Sequence, residues 1–150
     1  MATLTFNGQG HTLSIIDDGG RTSGVWTAYN NTDSHATLRH IPDGTYIIQD
    51  TLAPHWHPAN ANGPYGLYGV IRFNVPNHAG IAVHSGRASS GGPLHPTMGC
   101  IRTSDTAMKA IKDLMSKDHL STITVIGNSK QSSTRGAQKY KNAHLDAIRQ

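Results

Sequence analysis

Turn-forming residues set the first limit on what this chain can become. Glycine and proline, 16 and 7 of them among 150 residues, break the apolar runs while they are still short. Short apolar runs between turns favour a β or mostly β α+β architecture over long helices. A chain of this length can bury one core without help from disulfides or a structural metal, so a single main domain is expected.

The runs themselves read mainly as strands. Thr3 to Phe6 alternates, Asn7-Gly8-Gln9-Gly10 supplies a hairpin turn, and Thr12 to Ile16 resumes the alternation. Val25 to Tyr29 is expected to be a third strand. Ile41-Pro42-Asp43-Gly44 forms a turn, and it leads into Tyr46-Ile47-Ile48, expected to be a buried strand. Residues 51 to 69 break every period. Val70 to Val75 and Gly80 to His84 read as strands again. Met108, Ile111, Leu114 and Met115 recur at helical spacing, predicting a helix over Ser104 to Lys117, with Thr103 or Ser104 as cap and Asp105 in the first turn. Thr122 to Ile126 is a last β-branched strand. The expected division is a main domain over 1–127, then 128–150 as a polar linker and a short helix from Ala137 to Ile148 docked on that domain.

Charge and composition exclude little but rank the partners. Charged residues make up 15%, and the net charge is +4. The basic residues are scattered until Lys130 to Arg149. No aromatic-interleaved basic motif is present, so nucleic acid is not the expected partner. A mildly cationic surface suits an anionic polymer without selecting one. No stretch approaches the roughly 20 apolar residues of a membrane span, and Met1 to Gly10 has neither the basic nor the apolar region of a secretory signal.

The single cysteine cannot form an intramolecular disulfide. It is a small buried hydrophobe or a reactive thiol, and its neighbours decide which. An apolar strand ends at His84, a Gly/Ser/Pro-rich loop returns the chain, Gly99 precedes Cys100, and the capped helix follows. A thiol near a helix N-terminus is expected to have a lowered pKa. A histidine on a neighbouring strand can take its proton. The backbone N–H groups of Gly99 and Cys100 can form an oxyanion hole. Arg102 adds a cation that can hold a substrate carboxylate or stabilise the thiolate. Spacing alone leaves the catalytic pair and a merely structural cysteine and histidine both open. The chemistry requires a sulfur open to solvent and an imidazole within reach.

Val83-His84-Ser85-Gly86, followed by Thr97-Met98-Gly99-Cys100-Ile101-Arg102, resembles the active-site signature of the L,D-transpeptidase (YkuD-type) catalytic domain. Ile41-Pro42-Asp43-Gly44-Thr45-Tyr46 is similar to a second stretch of that domain. The match runs over about residues 1–127. Many members carry histidine directly before Gly-Cys, where this chain has Met98, so His84 is the supported base.

The resemblance implies a β-sandwich with a helix after the catalytic cysteine, and no cofactor or metal. It implies Cys100 as nucleophile, His84 as base, a main-chain carbonyl at Ser85 or Gly86 that orients the imidazole, and Gly99 beside the nucleophile. Arg102, Gly86, Tyr68 and His95 are the expected substrate contacts, with His95 otherwise a simple loop residue. Trp56, Tyr65 and Tyr68 can line a groove or pack on the sheet. His55-Trp56-His57 has the alternation of a metal pair but reads rather as an exposed loop between Pro54 and Pro58.

The implied substrate is the peptidoglycan tetrapeptide stem, acted on as an L,D-carboxypeptidase, a transpeptidase or an exchanger of D-amino acids. IPDGTYII and TMGCIR also resemble type VI secretion L,D-transpeptidase effectors. That likeness implies synthesis in the cytoplasm without a signal peptide, action in the periplasm of a target bacterium, and a secretion apparatus and an immunity protein as partners. The rival readings are another Cys–His wall amidase or endopeptidase, and a wall-binding module without chemistry.

Overall fold

The structure is a computed structural model and describes residues 1–128. The expected linker beyond 128 and the helix at 137–148 lie outside the described residues. Among the described residues, two sheets and one long helix make up the fold. Strands β1 (Ala2–Asn7), β2 (Thr12–Ile16), β3 (Thr22–Thr27), β4 (Gly44–Ile47) and β8 (Leu120–Ile126) form a sheet in the order β3-β2-β1-β8-β4. Strands β5 (Ile71–Arg72), β6 (Ala82–His84) and β7 (Ile101–Arg102) form a smaller one in the order β5-β6-β7.

Alternation explains the large sheet. Ala2, Leu4 and Phe6 of β1, Leu13 and Ile15 of β2, and Leu120, Ile123 and Val125 of β8 are all buried, and their strand neighbours are not. Each such large side chain contributes about 1.5–3 kcal/mol by leaving water. The β1–β2 hairpin forms where expected, with Asn7 Oδ1 accepting from the N–H groups of Gln9 and Gly10. β1 and β8 run parallel, a pairing that needs a long crossover. Between them the chain lays down β2, β3, β4, the small sheet and helix α1 (Asp105–Met115).

Three expectations shift. The third strand is Thr22–Thr27, because β2 pairs with it from Thr12↔Thr27 to Ile16↔Thr22; Tyr29 instead bridges Arg102. The strand at Tyr46 is an edge strand, so Ile47 is 66% exposed while Ile48 is buried. The expected strand from Val70 to Val75 is divided among partners: Val70 pairs with His55, Ile71 and Arg72 with β6, and Phe73 with Ile48.

Helix α1 follows its periodicity. Ser104 is the cap, its hydroxyl accepting from the Ala107 N–H at 3.1 Å. Met108, Ile111 and Met115 enter the same core as both sheets, Ala107 is buried as well, and Leu114 is half-buried against that core. Asn128, expected in the linker, is fully buried; its side-chain amide donates to Asn30 Oδ1 and to the Ile41 carbonyl, both at 2.9 Å.

Candidate active site

The small sheet separates its residues by face. Ile71, Val83 and Ile101 are mutually paired and enter the main core. Strand alternation then sends Val70, Ala82, His84, Cys100 and Arg102 to the other face. There Tyr65, Val70, Ala82 and Cys100 form a second buried cluster. β6 and β7 are parallel, with His84 opposite Arg102, so Cys100 and His84 share that face as diagonal neighbours on adjacent strands.

His84 is buried, and its Nδ1 lies 2.7 Å from the Ser85 carbonyl. A carbonyl only accepts, so Nδ1 carries the proton and Nε2 is the basic nitrogen. The Thr103 N–H holds the His84 carbonyl at 2.8 Å. The Tyr65 ring stands edge-on to the imidazole with centroids 5.1 Å apart, and His57 packs on Tyr65 at 4.5 Å. Burial pushes the Tyr65 hydroxyl up, the more so beside Cys100, while Arg102 and Arg87 pull it down.

The thiol departs from expectation. Cys100 is 0% exposed, not open to solvent. Its Sγ donates to the Gly80 carbonyl at 3.4 Å. Burial pushes its pKa up to about 12, against the opposing pulls of the Ala82 backbone and Arg102. The lowering expected from the helix does not appear, because β7 separates Cys100 from α1. The dipole effect fades within a turn of the helix end.

Gly99 sits at φ +128, and an added Cβ would lie 3.0 Å from Ile81 Cδ1. Its N–H donates to Thr97 Oγ1 at 3.1 Å, so in this state it is not turned to an oxyanion. Thr97 Oγ1 donates in turn to the Cys100 carbonyl at 2.7 Å, and the Asn30 amide donates to the Gly99 and Cys100 carbonyls at 2.8 and 3.1 Å. Asn30 and Thr97 thereby fix the peptide that carries the sulfur. Asn30 lies outside every sequence motif, whereas Thr97 opens the Thr97–Arg102 stretch that resembles the family signature.

Arg102 is 3% exposed. Its guanidinium donates to the carbonyls of His95 at 2.7 Å, Pro96 at 3.1 Å and Pro64 at 2.9 Å. These bonds tie two loops together and occupy both terminal nitrogens, so the expected grip on a substrate carboxylate has no free fork here. Burial lowers its pKa to about 10, and Cys100 opposes that shift.

The remaining candidates scatter. Ser85 and Gly86 are buried beside His84. His95 is half-buried, with Nδ1 on the Ser90 carbonyl at 2.9 Å. Tyr68 is half-buried and lies under Lys112 of α1, 5.9 Å from the ammonium to the ring centroid. Trp56 is 78% exposed, whereas His55 and His57 are half-buried rather than on an exposed loop. Among the described residues no group of three or more His, Cys, Asp or Glu is placed to hold a metal. A cavity of about 320 Å³, lined by Gln49, Arg72, Asn74, His78 and Gly80 among others, adjoins the residue whose carbonyl receives the thiol.

Solved structures share the fold. An L,D-transpeptidase from Stackebrandtia nassauensis matches with TM-score 0.56 at 19% identity, covering 85% of this chain and 56% of its own. Mycobacterium tuberculosis L,D-transpeptidase 1 matches with TM-score 0.53 at 15% identity, over 83% of this chain and 60% of its own. Bdellovibrio bacteriovorus Bd1075 matches with TM-score 0.62 at 18% identity, over 99% of this chain and 53% of its own. The chain thus spans a little over half the length of these proteins. No curated protein matches it. The model of the YkuD L,D-transpeptidase catalytic domain matches residues 4–126, from β1 to the end of β8. By that match the chain belongs to the L,D-transpeptidase (YkuD) catalytic domain family.

Proposed function

We propose that this chain transfers the acyl group of a peptidoglycan tetrapeptide stem through a thioester on Cys100. The observation that carries the reading is the His84 geometry. Its Nδ1–H is committed to the Ser85 carbonyl, which leaves Nε2 as the base on the sheet face that also bears Cys100. The thiol passes its proton to Nε2, and the sulfur attacks the carbonyl at the L-centre of the diamino acid. The bond to the terminal D-alanine breaks, and the imidazolium returns its proton to the departing amine. Water then releases a tripeptide, a neighbouring stem's amine forms a cross-link, or a free D-amino acid takes the place of the lost one.

The buried sulfur places a condition on this cycle. In the state described, the thiol's pKa of about 12 keeps it protonated at neutral pH. The Tyr65 side of the cluster must therefore move, or admit substrate, before proton transfer. The cavity beside Gly80 is large enough for part of a peptide.

The test is muropeptide analysis of tetrapeptide-rich wall treated with the purified full chain. Loss of tetrapeptide with gain of tripeptide, 3–3 dimer or exchanged D-methionine is expected, and Cys100→Ala should abolish it. Cut glycan or cut D,D cross-links would point to an amidase or endopeptidase. Wall binding undiminished in Cys100→Ala, with no product from wild type, would point to a non-catalytic module. Within this reading we propose the role of an antibacterial effector, supported by the IPDGTYII and TMGCIR wordings. Expression directed to the periplasm of a susceptible bacterium should be toxic, and Cys100→Ala harmless. Equal toxicity of both would remove that role.

A further inference from the structure

We propose that Asp105 is a positioning residue for the His84 imidazole, which it holds from two sides. The inference rests on the acyl-transfer reading above. Asp105 Oδ1 accepts two hydrogen bonds from outside its own helix, one from Ser85 Oγ at 2.5 Å and one from the Leu67 N–H at 3.1 Å. Ser85 follows His84 directly, and its carbonyl receives the Nδ1–H. Leu67 lies two residues beyond Tyr65, whose ring packs edge-on against the same imidazole. One carboxylate oxygen therefore anchors the peptide that sets the tautomer and the segment that sets the ring's packing.

Gly66 shows how tightly these pieces meet. A Cβ there would lie 2.0 Å from Ser85 Oγ and 2.7 Å from Asp105 Oδ1, and the residue sits at φ +76. Only glycine lets the Tyr65–Leu67 turn close onto the serine and the carboxylate. A bland alternative is that Asp105 is simply an acid in a helix's first turn. The cap is already supplied by Ser104, however, and Asp105 spends its oxygen on Ser85 and Leu67 rather than on helix amides. The charge suits the helix end, but the contacts serve the histidine.

The mechanism of positioning is geometric. Without the anchor, the Ser85 peptide and the Tyr65 segment lose a shared acceptor, and the aim of Nε2 at sulfur and leaving amine loosens. Misplacement of a catalytic group by about an ångström can cost on the order of a hundredfold in rate. The effect falls on kcat, because no substrate contact is removed. An acceptor at Oδ1 is what both donors need, so asparagine should restore much of what alanine loses.

The experiment measures D-alanine release from a purified disaccharide-tetrapeptide by the full chain, for wild type, Asp105→Ala, Asp105→Asn and Ser85→Ala. For Asp105→Ala we expect kcat to fall roughly ten- to a hundredfold with KM within about threefold, and Asp105→Asn to recover most of the loss. If wild type releases no D-alanine, the acyl-transfer reading itself fails. If wild type is active and Asp105→Ala keeps its kcat, or Asp105→Asn is no better than Asp105→Ala, the positioning role is wrong. Should Asp105→Ala not fold by circular dichroism, Ser85→Ala decides. It deletes one donor and keeps the carbonyl, so it should lower kcat at constant KM, and an unchanged kcat overturns the proposal.

Discussion

The two sheets are built on opposite economies of structure. In the large sheet, strands of four to seven residues supply the buried set Ala2, Leu4, Phe6, Leu13, Ile15, Leu120, Ile123 and Val125 from β1, β2 and β8, while β3 and β4 leave their side chains half-buried or exposed. In the small sheet the strands are two or three residues long, and both faces are buried. One face is apolar, but the other carries Cys100, His84 and Arg102. Two-residue strands contribute little by pairing alone, so side chains reaching backbone carbonyls do the holding. Asn30, Thr97 and Arg102 together make such bonds to Gly99, Cys100, Pro64, His95 and Pro96, among others. The contrast teaches that the scaffold is stabilised by burial, whereas the site is stabilised by polar clamps. The clamps hold the loops around Cys100 in place beside a small apolar cluster of Tyr65, Val70 and Ala82.

The sharpest test removes packing from the scaffold. Phe6 is fully buried near the C-terminal end of β1. Phe6→Ala should destabilise the chain by about 3–5 kcal/mol through lost transfer energy and the residual cavity. Chemical denaturation with two spectroscopic probes measures this, and the transition should stay cooperative. A loss under about 1 kcal/mol would mean that burial in the large sheet is not what sustains the fold.

A second change separates the clamp from the scaffold. Lysine keeps the charge of Arg102 but cannot spread donors across three carbonyls as a guanidinium does. Arg102→Lys should cost about 1–3 kcal/mol, the range for leaving buried polar groups unsatisfied. Hydrogen exchange should quicken first around residues 64–67 and 95–99, while β1 and β8 stay protected. Uniform loosening of both sheets would erase the distinction between them.

Legibility in the sequence follows the same divide. The β1–β2 hairpin and α1 were readable because their signals are local: alternation, Asn-Gly, a Ser cap, apolar residues three and four apart. The Cys100 and His84 motifs were readable as a family resemblance. The exposed face of β4 and the division of 70–75 were not, because which neighbour pairs with a short apolar run is decided by tertiary partners. Asn30 and Asp105 were illegible as site residues for a related reason. Asn30 acts on a carbonyl 69 residues away and Asp105 on a hydroxyl 20 residues away, and nothing in their neighbours' identities signals those contacts. The raised pKa of Cys100 was illegible because a pKa argument from sequence sees the helix but not the desolvation.

The smallest effect probes that desolvation directly. Cys100 has its pKa raised from 9.0 to about 12 by burial, so above pH 9 the unfolded chain gives up the thiol proton while the folded chain keeps it. The folded state then binds more protons, and stability falls as pH rises. Below pH 9 both states hold the proton and the contribution is whole. By pH 10 the loss should reach about 1 kcal/mol. Arg102, with its pKa lowered to about 10, acts in the opposite sense towards the upper end of that window, in wild type and in a Cys100 variant alike. Cys100→Ala has no such proton to lose, so its stability relative to wild type should rise by about 1 kcal/mol between pH 8 and pH 10, read from urea midpoints. A wild-type curve parallel to the alanine variant's over that interval would mean that the sulfur ionises as readily folded as unfolded. The polar face of the small sheet would then be open to water, and its contrast with the large sheet would rest on the clamps alone.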